Sequence, residues 1–274
     1  MTRYDRTMAK VSKKPFDTFR ESRIKRTTSE GKVAITLKCN TSDTKVAEIF
    51  SLAQPDAIWL DMEHGSLDYT QAENQVNAAK IYDVDAILRV SRGSYSSYIR
   101  GLEIDCAGLV IPQIKNYEDA KFVRDSTKFP PIGHRGLDGG NNDSKYARLD
   151  IEEYLTKSNE ERLVIYQIET PEAFDHIEAI AEMEGVDGLF FGPGDYSLAL
   201  GVPGQMDHPE VSKVRKLVAE LARKHNKIAA TPGGPNIASE YIDMGYNLLN
   251  IGSDVIGLTN YAEELINTFD KINS

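Results

Sequence analysis

From Val33 onward two hydrophobic patterns alternate along the chain. Short, nearly continuous apolar runs rich in Val, Ile and Leu give way to longer stretches in which apolar residues recur every three or four positions. The short runs are Val33–Cys39, Ala57–Glu63, Asp85–Ser91, Gly108–Ile114, Leu163–Glu169, Gly188–Pro193, Ile228–Thr231 and Leu248–Gly252. Continuous apolarity is what a strand covered on both faces requires, so these runs predict parallel strands. The intervening stretches predict helices. In Thr170–Gly185 the apolar positions are Ala173, Ile177, Ile180 and Met183. After Asp207, the residues Val211, Val214, Leu217, Val218 and Leu221 form one stripe. Asp207 or His208 suits its N-cap, with Pro209 at the first helical position. A last helix is expected over Tyr261–Ile272.

Eight strands alternating with helices predict an α/β protein, a single (β/α)8 TIM barrel with an N-terminal extension. The competing architecture, an open doubly wound sheet, lacks a G-x-G-x-x-G after the first strand. The barrel is expected over residues 33–274. Residues 1–32 are rich in Lys and Arg without a clear apolar run. They read as a mobile or loosely docked extension, with subunit contact as the alternative. The segment from Lys128 to Glu161 is dense in Gly, Asn and Asp at its centre. It reads as a long loop (129–160) that folds over the barrel mouth or a neighbouring subunit.

Composition narrows the partners. The net charge of −10 argues against nucleic acid or an anionic membrane as a partner. An anionic substrate would need local positive charge or a metal. Cys39 and Cys106 are the only cysteines and do not form a C-x-x-C pair, which predicts free, buried thiols in a reducing compartment. No apolar run approaches the ~18 residues of a membrane span, and the first residues lack the apolar core of a signal peptide. A soluble cytoplasmic protein is the expectation.

Barrel enzymes carry their sites at the C-terminal ends of the strands. There the chain places Asp61-Met62-Glu63-His64-Gly65, Arg89, Pro112-Gln113, Gln167 and Glu169, Gly192-Pro193-Gly194-Asp195, Pro232-Gly233-Gly234 and Gly252-Ser253-Asp254. Taken singly, a carboxylate at a strand end is often a helix cap. Arg89 is harder to dismiss, because a charge within a strand needs a partner. Glu169 and Asp195 fall on adjacent strands, and two such carboxylates suit a hard divalent ion, Mg²⁺ or Mn²⁺, with Co²⁺ a further option. No second His stands near His64 at zinc-ligand spacing.

The segments Asp61-Met62-Glu63-His64-Gly65, Gln167-Ile168-Glu169-Thr170 and Gly192-Pro193-Gly194-Asp195-Tyr196-Ser197 resemble three core motifs of the HpcH/HpaI aldolase family. Gly252-Ser253-Asp254 resembles its fourth. The resemblance runs from about Lys32 to the C-terminus. It implies a class II aldolase that cleaves or forms 4-hydroxy-2-oxo acids through a pyruvate enolate, with pyruvate and an aldehyde as substrates and a homo-oligomer as the assembly. It further implies Glu169 and Asp195 as metal ligands, Arg89 on the pyruvate oxygens and His64 as base or proton relay. Gln167 becomes a partner near the metal, and the loop Gly192, Pro193, Gly194, Asp195 receives the pyruvate carboxylate on the amides of Gly194 and Asp195. The family's acidic partner of the histidine, usually Asp, aligns with Glu103, with Asp105 as an alternative. Other readings kept open are a citryl-CoA-type lyase of the same superfamily, a phosphate-binding barrel isomerase using the glycines near 233 and 252, and a non-catalytic barrel.

Overall fold

The computed structural model describes residues 18–273. Its eight strands are β1 (Ala34–Cys39), β2 (Ala57–Asp61), β3 (Asp85–Arg89), β4 (Gly108–Ile111), β5 (Leu163–Ile168), β6 (Gly188–Phe191), β7 (Ile228–Pro232) and β8 (Leu248–Ser253). They pair in parallel and in chain order, and β8 returns to β1 to close the barrel. Between them run α2 (Thr44–Leu52), α3 (Tyr69–Ile81), α4 (Tyr95–Glu103), α5 (Tyr117–Thr127), α6 (Ile151–Glu161), α7 (Pro171–Phe174), α8 (Ile177–Glu182), α9 (Pro193–Ala199), α10 (Pro209–Lys224) and α11 (Ala238–Met244). Helix α1 (Arg23–Ser29) precedes β1 and α12 (Asp254–Asn273) follows β8.

The burial follows from the apolar runs. Strands β2 to β6 are buried at every position, because one face meets the barrel interior and the other meets helices. Trp59, Ile87, Val110, Ile165 and Phe190 fill the interior, with the Trp59 and Phe190 rings 5.1 Å apart. Helix α10 is amphipathic as its stripe predicts. His208 caps it by accepting from the Glu210 amide, and Pro209 opens it. The helix expected over Thr170–Gly185 is instead two short ones, α7 and α8, broken at His176, whose φ of −121° and ψ of 0° leave the helical region. Its apolar positions still face the core. Cys39 and Cys106 are buried and unpaired. Burial pushes both thiols up to about 12.

Two segments differ from expectation. Residues 1–17 lie outside the described part, but residues 18–32 are not a loose extension. Helix α1 plugs the N-terminal face of the barrel with fully buried Ile24. Arg20, Ser22 and the Ile24 amide all bond to Asp85, at 2.7, 2.8 and 3.0 Å. The 129–160 segment is not a structureless loop across the mouth either. Asp150 caps α6 within it, and Tyr154 and Ser158 face inward. The signal was the apolar spacing Ile151, Tyr154, Leu155, hidden among acidic neighbours. The segment is anchored on the flank and base, through Asn142 on Asn77 of α3 (3.0 Å) and Lys145 on Asp105 ahead of β4 (2.6 Å). Inside it Arg135, Asp143 and Tyr154 form a buried triad at 2.6–3.1 Å.

Helix α12 leaves the barrel after its first residue. It starts seven residues earlier than the apolar pattern predicts, and every residue from Val255 to Asn273 is exposed. The exposed set includes Leu258, Tyr261, Leu265, Ile266, Phe269 and Ile272. The flank of β1 and β8 is correspondingly less covered than the rest of the barrel, with Ile35, Leu37 and Ile251 only half-buried. Among the described residues no helix is long and apolar enough to cross a membrane.

Candidate active site at the barrel mouth

The parallel register sets Asp61 of β2 directly beside Arg89 of β3. This supplies the partner that a charge within a strand requires. Arg89 donates from Nε and Nη2 to the two oxygens of Asp61 at 2.9 and 2.6 Å, a two-pronged pairing. Its Nη1 lies 3.1 Å from Glu63. Lys38 of β1 approaches Asp61 from the other side at 2.8 Å. Burial alone would raise the Asp61 pKa, but hydrogen bonds and charge from Arg89 and Lys38 outweigh it and hold the carboxyl well below its ordinary range. The turn beyond is tight because a Cβ at Gly65 would stand 2.5 Å from the Asp61 carbonyl. The Glu63 and His64 amides donate to Asp61 Oδ1 at 3.1 and 3.4 Å. His64 itself projects outward, with Nε2 3.6 Å from Glu63.

Across the mouth stands Glu169, just past β5 and 1% exposed. Its Oε1 accepts from the Gln113 amide at 2.7 Å, and its Oε2 accepts from Gln167 Nε2. Gln113 holds a φ of +51°, a left-handed conformation that is costly for a residue with a Cβ. That conformation, two residues past the end of β4, accompanies the bond from its amide to the carboxylate. Gly192, the N-cap of α9, is sterically required: a Cβ there would lie 2.6 Å from Glu169 Oε2 and 3.1 Å from Gln167 Nε2. Pro193 then starts α9, with Gly194 and Asp195 in its first turn, where amides have no intrahelical acceptor. The Asp195 carboxylate neighbours Glu169. Burial, reinforced by the charge and hydrogen bond of Asp195, raises the Glu169 pKa to about 8 against the opposing bonds from Gln113 and Gln167.

The mouth therefore gathers His64, Arg89, Gln167, Glu169, Gly192, Pro193, Gly194 and Asp195 around one opening. It does not gather Glu103 or Asp105. Glu103 ends α4 on the flank, where burial raises its pKa and its charged neighbours are Arg135, Asp143, Asp138 and Arg100. Asp105 is enclosed at the opposite end of the barrel by Arg162, Lys80 and Lys145, all within 2.6 Å. Neither pairs with His64 within this chain. Asp254, from the fourth motif, accepts from the Asn40, Thr41 and Val255 amides at 2.8–2.9 Å and from the Thr41 hydroxyl at 2.7 Å, which ties the end of β8 to that of β1. Sequence reasoning missed Lys38, which sits inside an apolar run, and the role of Asp61, visible only as a motif letter until register paired it with Arg89.

The Glu169 and Asp195 pair fits a divalent cation. Two neighbouring carboxylates, one deeply buried, favour either a shared proton or a metal. The Gln167 Oε1 beside them is buried with no hydrogen-bond partner among the described residues, and so offers another hard oxygen. No group of three or more His, Cys, Asp or Glu side chains with metal-binding geometry occurs among the described residues. An ion at this pair would draw its remaining oxygens from amides, water or substrate, as Mg²⁺ commonly does.

A sequence model of the HpcH/HpaI aldolase/citrate lyase family matches residues 35–260. The chain is 32% identical over 252 residues to a pyruvate aldolase from Rhizobium etli, across 90% of this chain and 96% of that protein. It is 29% identical over 247 residues to the 2-keto-3-deoxy-L-rhamnonate aldolase of Salmonella gallinarum, across 89% and 92% of the two chains. An HpcH/HpaI aldolase from Desulfitobacterium hafniense has the same fold, with a TM-score of 0.84, 25% identity and coverage of 89% and 95%.

Proposed function

The chain belongs to the HpcH/HpaI aldolase/citrate lyase family, and from that premise we propose that it is a divalent-metal-dependent aldolase acting on 2-oxo acids such as pyruvate and on an aldehyde. The observation that carries this reading is the buried Glu169 beside Asp195, facing Arg89 and Asp61 across one mouth. Glu169 and Asp195 would hold the ion, with Gln167 fixing the Glu169 carboxylate through its amide. The ion supplies positive charge that stabilises negative charge developing on the 2-oxo acid when its methyl proton leaves.

The chain's own residues do the rest. Arg89 is locked in plane by Asp61 and Glu63, so its remaining N–H groups have a fixed direction toward substrate oxygen. First-turn amides of Gly194 and Asp195 suit the substrate carboxylate. His64, solvent-facing at the rim, moves the proton between substrate and water. The deciding experiment follows the pyruvate methyl signal by NMR in D₂O with Mg²⁺, then after exhaustive chelation. Exchange should require both protein and metal. Exchange of equal rate after chelation would end the metal reading, and no exchange in either state would end the aldolase reading.

We also propose a homo-oligomer in which α12 of one copy packs on the less covered β1/β8 flank of another. A 20-residue helix with apolar residues on several faces cannot remain in water alone without cost. Sedimentation of a chain ending at Asp254 should show a smaller particle than the full chain. An unchanged mass would reject the exchange.

A further inference from the structure

We propose that the cavity at the N-terminal end of the barrel, bounded by α1, the turn before β6, the turn between α10 and β7 and the turn before β8, binds a small organic dianion. The ligand class is a phosphate monoester or a dicarboxylate, and its site is apart from the mouth and independent of the aldolase reading. The cavity measures about 730 Å³, the size of a metabolite pocket. Leu163 and Ile228, the first residues of β5 and β7, form part of its wall, which places it at the end of the barrel opposite Arg89 and Glu169. Its ionisable lining is Lys25, Arg223 and Lys227 with Asp187. That is three cations to one carboxylate, in a chain whose net charge is −10. A concave wall of one sign focuses its field and concentrates ions of the other.

The one carboxylate is already engaged. Asp187 Oδ1 lies 3.3 Å from Lys25, and its Oδ2 accepts from Lys128 and from the Val164 amide, each at 2.9 Å. Lys227 donates to the Met183 and Val186 carbonyls at 3.2 and 2.7 Å, which leaves its ammonium one hydrogen and no ion pair among the described residues. Burial lowers the Lys227 pKa, and the ammonium groups of Lys128 and Lys25 add to that against the pull of Asp187 and Glu184. The exposed guanidinium of Arg223 has neither a hydrogen-bond nor an ion-pair partner among the described residues. It stands beside Gly245, where a Cβ would lie 3.5 Å from Nη1. The Gly245 φ of +105° is one that glycine adopts freely, and the turn it makes carries no side chain into the cavity. Asn247 fixes its Oδ1 on the Ala229 amide at 2.9 Å, so its NH₂ is left to donate. A planar fork, an ammonium and an amide thus line one cavity, and the fork pairs two-pronged with carboxylate or phosphate. A dianion there would offset the repulsion among the cations, which a neutral molecule of the same size cannot do. Residues 1–17 carry five cations and two acids, so their charge does not supply the counter-ion.

The test titrates the full chain, freed of metal by chelation, with glycerol 3-phosphate, with succinate and with uncharged glycerol in a calorimeter. We expect saturable binding of at least one dianion and none of glycerol, and the dianion that binds distinguishes phosphate from carboxylate. Arg223→Gln should weaken that binding by about 10- to 100-fold, the loss of one charged hydrogen-bonding group. Arg223→Lys should recover part of it, since a point charge replaces the fork but not its second prong. Arg223 is exposed and unpaired, so the Gln variant should keep the native Tm without ligand. The dianion should then raise the Tm of the native chain, by mass action on the folded state, and raise that of Arg223→Gln less at the same concentration. Arg89→Lys, at the mouth, should bind the dianion with native affinity. No saturable binding of either dianion by the native chain overturns the site, as does equal affinity in Arg223→Gln. Binding lost in Arg89→Lys but kept in Arg223→Gln would put the anion at the mouth and equally overturn it. Absent methyl exchange, which would end the aldolase reading, leaves each of these outcomes unchanged.

Discussion

At the N-terminal face of the barrel, Asp85, Asp105 and Asp187 are enclosed and each is matched by cations. Asp85 takes Arg20 together with a hydroxyl and an amide. Asp105 takes Lys80, Lys145 and Arg162. Asp187 takes Lys128 and Lys25. At the mouth, Glu169 has only amide donors among the described residues and stands beside a second carboxylate. The two ends shift their acids in opposite directions. Burial would raise Asp105, yet Arg162, Lys80 and Lys145 outweigh it and bring it down to about 2. Glu169 rises to about 8. The acidic charges at the base form a matched set, whereas the unmatched carboxylates at the mouth favour a bound cation.

Removing one carboxylate from the incomplete set should have the largest effect on activity. Glu169→Gln and Asp195→Asn are each expected to lower the metal-dependent exchange rate by at least ~10³-fold, since the ion's charge stabilisation is lost with the ion. Calorimetric titration with Mg²⁺ should show the binding heat gone while circular dichroism stays native. Wild-type affinity in both variants would falsify the assignment.

His64→Ala should slow methyl-proton exchange by about 10²–10⁴-fold while leaving Mg²⁺ and pyruvate affinity in place. Unchanged exchange would move the proton transfer to another group.

Breaking the matched set at the base should give the reverse profile. Asp105→Asn leaves Lys80, Lys145 and Arg162 enclosed without their anion, at a cost of about 3–5 kcal/mol of stability. Differential scanning calorimetry should record a lower Tm, and kcat of the folded fraction should be unaltered. A normal Tm would mean that the base network is not what holds the segment over 129–160 in place.

Arg89→Lys is predicted to cost about 3 kcal/mol in kcat/KM, because one ammonium cannot reproduce the planar pairing with Asp61 and still reach substrate. Near-normal turnover would remove Arg89 from the substrate contacts.

The smallest effect is on pH dependence, and the two ends should differ in sign. Asp105, lowered when folded, contributes stability that is complete above pH 4 and lost as pH falls toward about 2. Glu169, raised when folded, contributes stability that is complete below its unfolded value of 4.5 and lost as pH rises through about 8. Chelated protein should therefore melt at lower temperature at pH 8.5 than at pH 6, and Mg²⁺ should abolish the difference by taking the place of the proton. A chelated protein with the same melting temperature at both values would show that Glu169 is not strained at neutral pH.

The sequence by itself determined the barrel, because a strand covered on both faces must be apolar throughout, and that pattern is written in consecutive residues. It also marked the mouth, since Arg89 and Glu169 stand at strand ends and Asp195 in the turn of helix that follows one. Predicted ends overran the strands at Glu63 and Glu169, where the chain curls to present a carboxylate after the last ladder bond. Tertiary structure decided what periodicity cannot carry. Register joined Asp61 to Arg89 across 28 positions and brought Lys38 to the same carboxylate. Enclosure sent Asp105 to the base and Glu103 to the flank, away from His64, although both lie in a segment aligned with the family's acidic partner. Charge pairing between distant residues depends on strand order and stagger, and one chain's letters do not encode those distances.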